Sequence, residues 1–251
     1  MCKFYTPTGE ELTSAKAFVE YYAPIYYLDN PTELEGANHR PIGKTNRAVE
    51  NRIEEILKNG IQEEKDLIQI LAWKMGKIKQ SEVQNEMSFV YHSDWENAET
   101  HPETIMRYGN PLQIEKLLAA VRSHLDQLKK APLQEALNQL EKDSVRYIGT
   151  VYLITLLYFI TGAEYPIYDQ FAKKAVDAIK SGAKPGDKIV YVALPSKDTK
   201  EFQTVGETLQ SFKKDICEIF GYENYKASRD IDRALWVYGH LFDDSKNSSA
   251  C

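Results

Sequence analysis

Apolar residues in this chain recur every three to four positions in one segment after another, with proline and glycine standing between the segments. The clearest stripe runs over 111–129, where Leu112, Ile114, Leu117, Leu118, Val121, Leu125 and Leu128 repeat at this interval. A helix of 3.6 residues per turn places such a set on one face, so the spacing predicts a helix there, with Pro111 in its first turn. The same reasoning predicts helices over 46–58, stopped by Gly60, and over 62–79, paired antiparallel across a short connection. Further helices are expected over 15–22, ended by Pro24, and over 133–146, behind Pro132. Four more follow over 149–161, 170–180, 201–220 and 227–242. The stretch 30–43 reads as loop and 181–187 as a turn cluster. Segment 80–110 has little periodicity and reads as short helices and loops. Residues 188–194 have strand propensity but no second strand to pair with, which leaves extended coil. Nine or ten helices with short connections make an all-α fold. It divides either as one compact domain over 1–251 or as two packed lobes, about 80–180 and 1–79 plus 181–242, with 243–251 a polar, flexible tail.

Composition narrows the function classes. Charged residues are 27% and hydrophobic residues 43%, ordinary globular values that argue against wholesale disorder. The longest apolar run, 151–160, is about half of the ~20 residues that a membrane helix needs. The N-terminus has no signal-peptide core. Cys2, Cys217 and Cys251 are too few and too scattered for a disulfide framework, an iron–sulfur cluster or a zinc pair, which points to a reducing, cytoplasmic setting without a metal cofactor. His39, His92, His101, His124 and His240 show no paired metal spacing. The net charge of −6 counts against a binder that relies on an overall basic excess, although local patches govern binding more than the sum does.

The segment 145–169 carries the functional signal. Arg146-Tyr147-Ile148-Gly149 opens an apolar helix that stops at Gly162, and Pro166-Ile167 then leads to Asp169 at the start of the next helix. This order resembles the active-site segment of the helix-hairpin-helix DNA glycosylases, the superfamily of endonuclease III and of the adenine and 8-oxoguanine glycosylases. Gly149 corresponds to the second hairpin glycine, and Gly162, Pro166, Ile167 and Asp169 fall in the register of the adenine glycosylases. The resemblance covers about thirty of the 251 residues.

The resemblance implies an all-α fold of two helical lobes and DNA as the partner. Backbone N–H groups at Ile148, Gly149 and Thr150 would approach a phosphate, and Lys173 and Lys174 would face another. A damaged base would be flipped into a pocket between the lobes. Asp169 would be the catalytic carboxylate, stabilising a cationic sugar and orienting or deprotonating the nucleophile. Bifunctional members carry a lysine two residues after the second hairpin glycine. Val151 stands there, which implies monofunctional hydrolysis. Tyr147 replaces the first hairpin glycine, and Arg146 the preceding proline. Each residue also has a plainer reading: Asp169 as a helix N-cap, Gly149 as a tight turn, Lys173 and Lys174 on a solvated face, and Tyr147, Tyr152, Tyr158, Tyr165 and Tyr168 as packing residues.

Overall fold

Most of the regular structure is helical. The computed structural model describes residues 2–27, 47–81, 89–222 and 228–242. Among these the helices are α1 (Ala15–Ile25), α2 (Arg47–Asn59), α3 (Glu64–Lys74), α4 (Ile114–Lys130), α5 (Leu133–Asp143), α6 (Thr150–Ile160), α7 (Gln170–Ser181), α8 (Val205–Phe220) and α9 (Arg229–Gly239). Among the described residues six short strands, β1 (Phe4–Tyr5), β2 (Glu11–Leu12), β3 (Ile78–Gln80), β4 (Phe89–Tyr91), β5 (Met106–Arg107) and β6 (Asn110–Pro111), pair antiparallel as β1–β2, β3–β4 and β5–β6. No helix among the described residues is long and apolar enough to cross a membrane. The expected loop 30–43 with His39, the tail 243–251 with Cys251, and the helix starts at Asn46 and Ala227 lie outside the described residues.

The chain forms two units. One comprises Met1–Lys44, Pro166–Ala193 and Leu209–Cys251, and the other Thr45–Tyr165 and Leu194–Thr208. This partition groups 45–79 with the 145–150 turn and α7 with the chain ends, and so differs from the lobes expected at about 80–180 and 1–79 plus 181–242.

In the first unit, α9 packs on both α1 and α7. Its core is aromatic: the Phe18 ring lies 5.3 Å from Phe4, 5.1 Å from Tyr22 and 5.2 Å from Tyr238. The Tyr22 hydroxyl donates to the Tyr5 carbonyl at 2.7 Å, and burial pushes its phenol far above the ordinary range. Such packing supplies apolar burial while giving a buried hydroxyl a partner.

The second unit is built around α6, whose residues from Leu153 to Ile160 are all buried. A polar network ties α2 and α3 to the chain after β4. One oxygen of Asp66 accepts from the N–H groups of Gln62 and Glu63 at 2.7 and 3.1 Å, and the other from Arg52 at 2.5 Å. Glu99 accepts from Lys65 at 2.8 Å, from Gln69 at 2.9 Å and from the Tyr91 hydroxyl. Burial pushes the Glu99 carboxyl up, but these donors together outweigh it and hold the group below its ordinary range.

Several element ends differ from the periodicity, each for a local reason. Helix α1 runs one residue past Pro24, because in a last turn proline forfeits a single hydrogen bond. Helix α3 ends at Lys74, before Gly76 turns left-handed at φ 64°, and the chain continues as β3. Pro111 lies in β6 and not in a first helical turn, so α4 begins only at Ile114, after Gln113 at φ 51°. Helix α5 stops at Asp143, because Ser144 is already extended. No strand forms over 188–194, where Val190 and Val192 are exposed.

Candidate nucleic-acid interface

The link from α5 to α6 is a tight turn. The Ile148 N–H donates to the Val145 carbonyl at 3.2 Å, and Tyr147, third of the four residues, takes φ 71°. A positive φ at this place is the usual province of glycine. Here a tyrosine adopts the left-handed conformation that glycine favours. The side chain of Ile148, fully buried, anchors the turn.

Gly149 is the N-cap of α6, with φ −93° and ψ 174°. That conformation is open to any residue, and a Cβ here would meet nothing within 4 Å. Neither the backbone conformation nor the packing requires glycine, which stands here as one of the residues favoured at a helix N-cap; the left-handed residue of the turn before it is Tyr147. The neighbouring Thr150 is buried, and its hydroxyl donates to the Pro195 carbonyl at 2.7 Å.

A second turn lies against the first. Strands β5 and β6 are joined by Tyr108 and Gly109 at φ 52° and 72°, the pair of left-handed residues that a two-residue hairpin requires. Arg107 joins the two turns: it donates to the Tyr147 carbonyl and, at 2.8 Å, to the Tyr152 hydroxyl. Its guanidinium lies 4.5 Å from the Tyr152 ring centre and 5.1 Å from that of Tyr108. Arg146 is exposed, 5.0 Å from the Tyr147 ring. Beside them opens a pocket of about 230 Å³, lined by Asn110, Pro111, Leu112, Gln113, Val145, Arg146 and Tyr147. By sequence Tyr108 is only one of the aromatic residues of the unperiodic segment 80–110 and Arg107 carries no signal, although Gly109 marks a turn.

The other residues singled out by sequence belong to the first unit. Asp169 is the N-cap of α7, where one of its oxygens accepts from the N–H groups of Phe171 and Ala172 at 3.0 and 2.9 Å. Lys173 pairs with Asp177 one turn on, its ammonium 2.5 and 2.6 Å from the two carboxylate oxygens. Lys174 is buried and not on a solvated face, its Nζ 3.4 Å from the Phe242 carbonyl. The structure thus brings Ile148, Gly149 and Thr150 together with Arg107 and Arg146, and places Asp169, Lys173 and Lys174 on a separate helix of the other unit.

The tyrosine set divides in the same way. Tyr158 and Tyr168 are core residues, and burial pushes the Tyr168 phenol well up. Tyr147 and Tyr152 stand half-exposed about the turn. Among the histidines, His124 lies 3.1 Å from Asp143 and His240 stacks on Phe171. No group of three or more His, Cys, Asp or Glu among the described residues is arranged to hold a metal ion. None of the known protein-family profiles, curated proteins or solved structures matches this chain.

Proposed function

We propose that this chain binds DNA through the 145–150 turn and the β5–β6 hairpin, on a scaffold similar to that of the helix-hairpin-helix DNA glycosylases. The observation that carries the reading is Gly149, a bare backbone position that the fold does not require, at the start of a helix and three residues from an exposed arginine. Phosphate suits such a place, because N–H groups at a helix start approach it closely and guanidinium pairs with it. The overall acidity of the chain is compatible with this, since the contact is local. Affinity is expected to fall steeply with salt.

The test is duplex affinity in Gly149→Asp. Aspartate is a better N-cap than glycine, so the variant is expected to keep or gain stability. Its carboxylate would repel the phosphate, and affinity is expected to fall about tenfold or more, as an uncompensated like charge in a contact costs several kcal/mol.

Base excision is the second reading, favoured by the register that sets Asp169 twenty residues after Gly149. Asparagine caps helices as well as aspartate does, so Asp169→Asn removes the charge and keeps the cap. Duplexes carrying 8-oxoguanine, uracil, alkylated adenine or an A:8-oxoguanine mismatch are treated with wild type and variant, then with hot alkali. Alkali-dependent cleavage by wild type alone, at equal thermal stability, makes Asp169 the acid of a monofunctional hydrolysis. Absence of cleavage on the whole panel leaves Asp169 as a cap and the protein as a non-catalytic binder.

A further inference from the structure

Three of the four non-glycine residues with positive φ among the described residues, Tyr108, Gln113 and Tyr147, stand in one place. Left-handed backbone is costly for residues with a Cβ, and several such residues together mark a surface shaped for something other than stability. Gln113 and Tyr147 line the pocket of about 230 Å³. Tyr108 is 76% exposed, and its ring centre lies 6.3 Å from that of Tyr147. An aromatic ring held in water at the tip of a tight turn, braced by Arg107, is a face ready for stacking.

The pocket beside it has the chemistry of a base site. Pro111, Leu112 and Val145 provide apolar wall; the Asn110 amide donates to the Tyr108 carbonyl at 2.9 Å and keeps its oxygen as an acceptor, while the Gln113 oxygen accepts from Lys116 at 2.9 Å and its amide N–H groups remain as donors. Arg146 supplies positive charge at the rim. A base paired within a duplex presents no free face and cannot enter a recess of this kind, whereas an unpaired base can stack on tyrosine and offer its edge to the amides.

We infer that the Tyr108–Tyr147 surface takes an unpaired nucleobase, so that single-stranded nucleic acid, not intact duplex, is the preferred ligand of the hairpin. The inference rests on the DNA-binding reading above and names the form of nucleic acid that it favours. Arg107 is a positioning residue here, since it holds the two turns together through the Tyr147 carbonyl and the Tyr152 hydroxyl.

The test uses the full chain and a fluorescently labelled 12-nucleotide DNA, alone and annealed to its complement, with 2-aminopurine at a central position of a second single strand. The single strand is expected to bind about tenfold more tightly than the duplex. Tyr108→Ala is expected to weaken single-strand binding about tenfold, as removal of one stacking partner does. Tyr108→Phe is expected to retain wild-type affinity. Wild type quenches the 2-aminopurine on stacking, and Tyr108→Ala does not. Duplex bound as tightly as single strand, or a Tyr108→Ala variant that binds and quenches like wild type, overturns the inference and leaves the hairpin reading standing. Binding of neither form overturns both.

Discussion

Gly239→Ala is expected to destabilise the first unit by about 3 kcal/mol or more, an overpacking cost at the upper end of the usual range. Gly239 ends α9 where that helix crosses α7. A Cβ at this position would lie 2.0 Å from the Phe171 carbonyl oxygen and 2.8 Å from the Phe171 Cα. These are backbone atoms, so no rotamer change relieves the overlap, and one helix has to move. The displacement would spread to the stack of His240 on Phe171 and the contact of Phe171 with Trp236. Urea unfolding followed by far-ultraviolet circular dichroism measures the effect as a lowered midpoint. An unchanged midpoint would mean that α7 and α9 do not approach as described.

Asp66→Ala is expected to cost the second unit a similar amount, about 3 kcal/mol. The carboxylate is buried and satisfies three donors at once: two N–H groups before α3 and the guanidinium of Arg52. Removing it strands those donors and leaves the arginine without its closest counter-charge, and the loss of one member of a buried pair costs more than the pair's net worth. Asp66→Asn retains the shape and one accepting oxygen, and is expected to lose roughly half as much. The same unfolding measurement ranks wild type, Asn and Ala in that order. Equal stability of all three would remove this network from the account of how α2 and α3 are held.

The helices were legible in the sequence because their signal is local. The stripe from Leu112 to Leu128 needs no partner to be recognised, and the all-helical run of α6 is buried whatever surrounds it. The β-hairpins were not legible. Strands of two or three residues show no alternation, and β3–β4 joins segments on either side of an unperiodic stretch. Helix faces were uncertain for a related reason: Lys173 and Lys174 are adjacent in sequence, yet one pairs at the surface with Asp177 and the other sits in the core, because successive residues are about 100° apart.

The candidate interface was half legible. Gly149 and its neighbours stood out by spacing, while Tyr147 read as a departure from the motif. Sequence alone does not report that a tyrosine occupies the left-handed region. The arginine that joins the turns comes from forty residues away in the chain, a contact that no local pattern announces.

The most direct test of the interface is the paired measurement of duplex affinity and thermal stability in Gly149→Asp. The account predicts opposite directions: melting temperature equal to or above wild type, since the N-cap improves, and affinity for a labelled duplex lower by about tenfold or more, since a carboxylate meets the phosphate. A variant as stable as wild type that binds the duplex equally well would contradict the placement of DNA at this turn.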